Sequence, residues 1–197
     1  TAELIPAIQA LFERSATHLE EIQGIAVAMG PGGFSALRVG ISAAKGLALT
    51  KSTPLVGVGT LELEAYPFAG LGLPVCALLD AGREEIATGA FGNATGSWTR
   101  LKEERVCTLE ELVESTGEPT LFCGEGAPNR SQELRRLLGR NGLVIGLHSP
   151  AGRLWALAEL GSKRLDRGEA SPMDALQPMY LRRPSIGAPK SHQRIKQ

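Results

Sequence analysis

A glycine-rich turn at residues 30–33 is the stretch of this sequence best suited to hold a ligand through its backbone. An apolar run at residues 25–29 precedes the turn and predicts a buried strand, which Pro31 and the glycines would end. A helical pattern of apolar residues begins at Phe34. Because N–H groups at a helix N-terminus lack partners within the helix, they can hold an anion beside glycines. The stretch therefore predicts a strand, a turn and a helix with an accessible N-terminus.

Few other residues have the spacing that catalysis requires. His18, His148 and His192 are far apart and form no H-E-x-x-H or H-x-x-x-H pair, so no metal-binding helix face is predicted. Neither a G-x-S-x-G elbow nor a Walker sequence occurs. Asp80 ends a predicted buried strand, where a carboxylate can bind a metal, act as a base or cap the turn. Because no second carboxylate or histidine lies at a suitable spacing, turn-capping is the favoured interpretation.

Composition excludes several classes of protein. The 197 residues include 21 Lys+Arg and 21 Asp+Glu, so a formal net charge of zero provides no global attraction to nucleic acid. Cys76, Cys107 and Cys123 form no C-x-x-C pair, which argues against a disulfide framework or a zinc site and predicts that Cys76 and Cys123 are small buried hydrophobes. No apolar run approaches the roughly 18 residues of a membrane span, and no signal peptide is visible. A cytoplasmic protein without a membrane partner is expected.

The helix after the turn has unusually small side chains on its surface. The small residues are Ala36, Gly40, Ala43 and Ala44. Glycine within a helix costs about 0.5–1 kcal/mol relative to alanine, so Gly40 and Gly46 indicate that another backbone approaches closely. Two interpretations remain open at this point. The small face packs on the protein's own sheet, or it docks against another subunit.

Periodicity and turn signals divide the chain into two regions of mixed helices and strands and a tail. Residues 1–70 are predicted to form one half, residues 71–184 a second half, and residues 185–197 a disordered basic tail. A weak contact of its clustered cations with the phosphates of a nucleic acid is the alternative. The first half is predicted to contain helices at 2–14, from Phe34 and from Thr60, and strands at 25–29 and 54–58. The second half is predicted to contain a meander of strands at 75–79, 85–91 and 97–101, further strands at 121–123 and 143–145, helices at 130–138 and 150–166, and an edge strand at 177–181. Capping boxes from Thr17 and from Thr108 predict two further short helical starts, and Ser149-Pro150 predicts the start of the helix at 150–166.

Three stretches resemble one bacterial protein family. Residues 30–49, GPGGFSALRVGISAAKGLAL, resemble the GPGSFTGLRVGISTAKGLA signature of the TsaB (YeaZ) family, with a departure at residues 33–36. Residues 77–86 resemble that family's Ile-Asp-Ala-Arg-x-Gly-Glu-Val turn, and residues 177–182 resemble its closing Pro-x-Tyr-Leu-Arg. The resemblance implies an α/β fold of two halves, of the actin-like, ribonuclease H-like (ASKHA) type. The family begins with an Ile-Asp-Thr strand and a hairpin, so we expect that the first strands are missing here and that further residues precede Thr1.

The resemblance also implies a function. The TsaB family consists of non-catalytic relatives of TsaD/Kae1 that scaffold and activate a TsaD-like threonylcarbamoyltransferase acting on tRNA. The implied partners are a TsaD-like subunit, a TsaE-like ATPase, tRNA through the complex, and a second copy of the chain when TsaD is absent. No catalytic, cofactor or metal residue is expected here, and ATP and metal are expected on the partner subunits. The implied interface is a helix pair carrying Leu4, Ile8, Leu11, Phe34, Ala36, Leu37, Gly40, Ile41 and Ala44.

Two enzymatic alternatives come from another class of function. One is a metallopeptidase of the glycoprotease type, against which the absence of a metal-binding histidine pair argues. The other is a small-molecule kinase of the actin-like superfamily. The absence of the opening phosphate-binding strands argues against the kinase, provided that the natural protein also lacks them.

Overall fold

The computed structural model describes residues 3–94 and 96–181, and these form two sheets with helices packed on them. The strands are β1 (Ile25–Gly30), β2 (Leu55–Gly59), β3 (Val75–Gly82), β4 (Glu85–Ala94), β5 (Ser97–Cys107), β6 (Thr120–Cys123) and β7 (Gly142–Val144). The α-helices are α1 (Leu4–Ser15), α2 (Phe34–Lys51), α3 (Thr60–Ala65), α4 (Leu109–Glu114), α5 (Ala127–Leu138) and α6 (Pro150–Asp166). Short 3-10 segments lie at Leu19–Glu21, Tyr66–Leu71 and Gly139–Asn141. The predicted tail at 185–197 lies outside the described residues.

The first sheet is a parallel pair of strands connected by a helix. β1 and β2 run in parallel register from Ile25 opposite Leu55 to Ala28 opposite Val58. α2 makes the crossover between them and buries Ala44 and Ala48 against Leu55. Two parallel strands need such a crossover, because a tight turn between consecutive strands makes them antiparallel. The predicted strand–turn–helix unit is therefore confirmed.

The second sheet is mixed, with the strand order β5-β4-β3-β6-β7. β3, β4 and β5 form the predicted antiparallel meander, whereas β6 and β7 run parallel to β3. Both faces of β3 are covered. Ala77 and Leu79 pack with Leu61 of α3, while Cys76 and Leu78 pack with helices α4 and α5 on the other face. A central strand that is buried on both faces has the continuous apolar sequence seen at residues 75–79.

The last helix in the described part of the chain, α6, returns to the first sheet. Ala156 and Leu160 of α6 pack with Val58. At Gly161 a Cβ atom would lie only 2.5 Å from the Cβ of Ala26, so a larger residue would push α6 away from β1. α6 therefore covers the face of the first sheet opposite α2. The division of the chain at residue 70 stays a prediction. The packing crosses this division, because α6 comes from the predicted second half and packs on the first sheet.

The sequence prediction differs from the structure at one predicted strand and at one capping box. Residues 177–181 form no strand, so the predicted edge strand is wrong. Pro178 has no N–H to give to a ladder, and Met179 instead donates a single backbone hydrogen bond to the carbonyl of Met29 at 2.7 Å. The first capping box, predicted from Thr17, is shifted by one residue, because Glu21 accepts from the N–H of His18 at 2.7 Å.

Other local predictions are confirmed. Thr108 and Glu111 form a complete capping box at the start of α4. Ser149 caps α6 by accepting from Gly152 N–H at 3.1 Å, and Pro150 occupies the first helical position. Within the described ranges, no helix combines the length and the apolar character that crossing a bilayer requires.

Candidate partner-binding site

Gly30 fixes the glycine-rich turn against the C-terminal segment. Its backbone has a φ of +110°, and a Cβ atom there would lie 2.7 Å from the carbonyl oxygen of Met179. L-residues rarely adopt this φ, and the carbonyl belongs to a backbone that hydrogen-bonds to Met29. Only glycine therefore fits at this position without strain.

Replacing Gly30 tests this constraint. Gly30→Ala is expected to lower the free energy of unfolding by about 2 kcal/mol, since a backbone held in a sparsely populated region costs about 1–3 kcal/mol. Thermal or denaturant unfolding measures the change. Gly32→Ala is the matched control, because its Cβ would meet only Leu37 carbons at an ordinary 3.8 Å. Equal stability of the two variants would contradict the constraint.

The N-terminus of α2 adjoins a cluster that joins two distant motifs. The rings of Phe34 and Tyr180 stack with centroids 5.3 Å apart, and the guanidinium carbon of Arg38 lies 4.0 Å from the Phe34 centroid. Arg38 Nε donates to Tyr180 Oη at 3.2 Å. Phe34 is 40% exposed and Tyr180 is 36% exposed. These three residues are called the Arg38 cluster below. No side chain caps the helix at Gly33, so anion binding there stays a prediction.

The buried apolar residues of α2 and the residues that α2 exposes lie on different faces of the helix. Ile41 and Ala44 are buried in the chain's own core, so placing them in a partner interface is wrong. An amphipathic stripe forms wherever a helix packs, and here the protein's own sheet covers it. The exposed face is elsewhere. It contains Ser35, Arg38, Ser42, Gly46 and Leu49.

No residue that the structure describes packs closely against the two glycines inside α2. A Cβ atom at Gly40 or at Gly46 would meet no atom within 4 Å beyond the helix's own nearby backbone. With 3.6 residues per turn, Gly46 lies near the centre of the exposed face, while Gly40 and Arg38 lie at its two borders. Close packing on the protein's own sheet therefore does not explain either glycine. The other interpretation, in which another subunit docks on this surface of α2, therefore stays a prediction.

The other predicted interface residues remain accessible to different degrees. Leu11, Phe34 and Ala36 are exposed. Leu4, Ile8, Leu37 and Gly40 are half-buried. The first helix, α1, buries none of its residues, although apolar side chains recur along it. Their role as a partner interface stays a prediction.

A group of buried charges joins α3 to α6. Glu64 is only 5% exposed; it accepts a hydrogen bond from Arg153, and its second oxygen lies 3.4 Å from His148 Nδ1. Arg153 also contacts the exposed Glu125 at 3.4 Å. Two residues before Glu64, Glu62 accepts two bonds from Arg164 at 2.9 and 2.7 Å. The sequence interpretation missed the pairs of Glu62 and Glu64 with these arginines, since the partners are 102 and 89 residues apart.

The candidate chemical residues do not assemble into a metal site. Asp80 accepts from Arg130 of α5, and among the described side-chain hydrogen bonds it makes none to the turn, so turn-capping is wrong. The residues described by the structure contain no group of three or more His, Cys, Asp or Glu close enough to hold a metal ion. A cleft of about 420 Å³ has Gly32, Tyr180, Asp80 and Arg153 among its lining residues. His192 lies outside the described residues.

The cysteines behave as buried apolar residues. Cys76, Cys107 and Cys123 are all buried and free of disulfide bonds, which confirms the prediction for Cys76 and Cys123. Burial raises the pKa of the Cys76 thiol to about 11, although its contact with Thr88 acts in the opposite direction. A thiol with a raised pKa carries little thiolate at neutral pH, so nucleophilic chemistry is disfavoured.

Comparison with known proteins identifies the family. The family profile described as "TsaD: tRNA N6-adenosine threonylcarbamoyltransferase" matches residues 1–159. The tRNA threonylcarbamoyladenosine biosynthesis protein TsaB of Bacillus subtilis (strain 168) is 30% identical over 186 residues, covering 90% of this chain and 77% of that relative.

Two solved structures from Pseudomonas aeruginosa share the fold. A protein with similarity to peptidase YeaZ superposes with a TM-score of 0.71 at 22% identity, covering 92% of this chain and 84% of that chain. YeaZ superposes with a TM-score of 0.69 at 23% identity, covering 91% and 83%. These likenesses agree with the predicted α/β fold of the actin-like type. The chain therefore belongs to the TsaB (YeaZ) family, within the wider family that the TsaD profile describes.

Proposed function

We propose that this chain is an accessory, non-catalytic subunit of the machinery that makes threonylcarbamoyladenosine on tRNA. Its role is to scaffold and activate a TsaD-type transferase, which carries out the transfer to the tRNA adenosine. The observation that carries the proposal is the outward face of α2. Its glycines, Gly40 and Gly46, have open space beside them, and the same helix carries the sequence that resembles the family signature.

The chemistry of the described residues agrees with a scaffolding role. The cysteine thiols are buried, and Asp80 and Glu64 are engaged by Arg130 and Arg153. The guanidinium donors occupy oxygens of these carboxylates, which leaves them less available to a substrate. Docking through α1 and α2 requires no reactive group. It requires accessible apolar and small surface, which both helices have.

The cofactors and remaining partners follow from the same role. We place ATP and metal on the partner subunits rather than on this chain. A TsaE-type ATPase joins the complex, and tRNA contacts it through the assembled surface. In the absence of the TsaD-type subunit, the outward face of α2 pairs with a second copy of this chain. A cytoplasmic location fits a protein that acts on tRNA.

Reconstitution tests the catalytic assignment. The purified chain alone is expected neither to cleave peptides nor to modify tRNA supplied with the threonylcarbamoyl adenylate. Adding it to a TsaD-type subunit and a TsaE-type ATPase should raise the yield of modified tRNA, measured by nucleoside mass spectrometry. Size-exclusion chromatography of the mixture should show co-elution with the TsaD-type subunit. Modification of tRNA by the single chain, at a level above a mock purification, would overturn the assignment.

A further inference from the structure

The Arg38 cluster has a free hydrogen-bonding edge on an exposed surface. Arg38 donates through Nε to Tyr180, which occupies one edge of the guanidinium. No described residue accepts a hydrogen bond from its two terminal nitrogens, which form the other edge. These nitrogens have the geometry that grips both oxygens of a carboxylate. The cluster therefore presents a cationic fork to the solvent.

The chain itself offers no side-chain carboxylate for this fork. Ion pairs within 4.0 Å join several arginines to Asp or Glu in the described residues, and Arg38 is in none of them. Residues 1–2, 95 and 182–197, which the structure does not describe, contain neither Asp nor Glu. Within residues 1–197, therefore, no side-chain carboxylate pairs with Arg38, and the fork is available to an anion of another molecule.

Two aromatic rings hold Arg38 in place before anything binds. The Phe34 ring lies 4.0 Å from the guanidinium carbon, and Tyr180 stacks on Phe34 while accepting from Nε. Tyr180 is held in turn by the Met179 backbone bond to Met29. An arginine that is already ordered loses less rotamer entropy on binding, so its ion pair contributes more to affinity. Tyrosine and arginine are also the residue types enriched at interface hot spots.

We propose that Arg38 binds a carboxylate side chain of the TsaD-type subunit, with Phe34 and Tyr180 as positioning residues. This inference rests on the proposed function. The cluster borders the exposed face of α2, so one docked surface covers both. The partner surface that fits is an Asp or Glu beside apolar side chains, which pack on the exposed parts of the two rings. Exclusion of water by those apolar groups strengthens the ion pair.

Binding of Arg38 variants to a TsaD-type subunit tests this inference. Arg38→Gln is expected to weaken binding at least tenfold, mainly through faster dissociation, and to flatten its dependence on salt concentration. Arg38→Lys keeps the charge but loses the fork and should weaken binding by several-fold. Tyr180→Phe keeps the ring and frees the Nε edge, so it should have a smaller effect than Arg38→Gln. Thermal melting checks that each variant is folded.

Arg140→Gln is the matched control. Arg140 is an exposed arginine in the 3-10 turn at Gly139–Asn141, remote in sequence from α2, and its replacement removes the same unit of charge. It should leave binding unchanged. A folded Arg38→Gln variant that binds within twofold of the parent would overturn the inference while leaving the proposed function intact.

Two further outcomes also decide the question. If Arg38→Gln keeps its affinity for the TsaD-type subunit but lowers the affinity of the complex for tRNA, the anion is a phosphate and the inference is overturned. If the parent chain does not bind the TsaD-type subunit at all, the proposed function fails together with the inference. A charge reversal supports the inference directly: Arg38→Glu should abolish binding, and an Asp→Lys or Glu→Lys substitution on the partner should restore it.

Discussion

Glu64→Ala is expected to lower the free energy of unfolding by about 3 kcal/mol, because it removes the carboxylate that holds Arg153. Removing one partner of a buried ion pair typically costs about 3–5 kcal/mol. The lower end applies here, since the side chain of Arg153 is 31% exposed and can gain some hydration once it is unpaired. For a domain of this size, 1 kcal/mol lowers the melting temperature by roughly 2–4 °C, so a decrease of roughly 6–12 °C is expected.

Glu125→Ala is the control for this prediction, because Glu125 contacts the same arginine at 3.4 Å. Glu125 is 64% exposed, and exposed ion pairs contribute only about 0–1 kcal/mol. Chemical denaturation of both variants, followed by circular dichroism, measures the difference. Glu64→Gln preserves the volume of the side chain, so it separates the lost charge from the cavity that alanine leaves. A Glu64→Ala variant as stable as Glu125→Ala would show that the buried pair contributes nothing.

The position of Glu64 explains why this pair affects more than one helix. α3 joins the two sheets, since Leu61 packs with the second sheet while Leu63 packs with the first sheet and α6. The Glu64–Arg153 pair fixes α6 to that junction. A destabilised pair is therefore expected to loosen α6 from the first sheet, which amide hydrogen exchange would detect as reduced protection in both elements.

Signals close together in the sequence predicted most of the elements. Pro31 and its neighbouring glycines predicted where β1 ends and α2 begins, and Ser149-Pro150 predicted the start of α6. These signals are local because caps and turns involve residues only a few positions apart. Twenty residues of family resemblance then predicted the fold class, which strand and helix periodicity alone would have left open.

Local signals in the sequence could not predict contacts between residues that are far apart along the chain. Nothing in the residues around Phe34 indicated that Tyr180, 146 positions later, stacks on it. The family resemblance implied that Ile41 lies in a partner interface, whereas the protein's own core buries it. Periodicity indicates that a helix face is covered and does not indicate what covers it. The open space beside the helical glycines also depends on the tertiary structure, so the sequence could not show it.

Substitution of the helical glycines is the second test with a large expected effect, on association rather than stability. A leucine at Gly46 would add a branched side chain at the centre of the exposed face of α2. Overpacking a close contact typically costs about 1–3 kcal/mol, which corresponds to a roughly ten- to hundredfold loss of affinity. Gly40→Leu should act in the same direction at the border of the face. Affinity for a TsaD-type subunit, or the dimerisation constant of the chain alone, measures the effect.

Both variants should remain folded, because a Cβ atom at either glycine meets nothing within 4 Å and leucine favours a helix over glycine by up to about 1 kcal/mol. Gly117→Leu is the matched control: its site is equally open, but it lies in the loop after α4, outside the proposed interface. Unfolding of the α2 variants would mean that their glycines serve the monomer after all. Full affinity in folded Gly40→Leu and Gly46→Leu variants would move the interface away from this face. A loss at Gly46 alone would confine the contact to the side of α2 that carries Arg38, whereas losses at both positions require a partner helix lying across the whole exposed face.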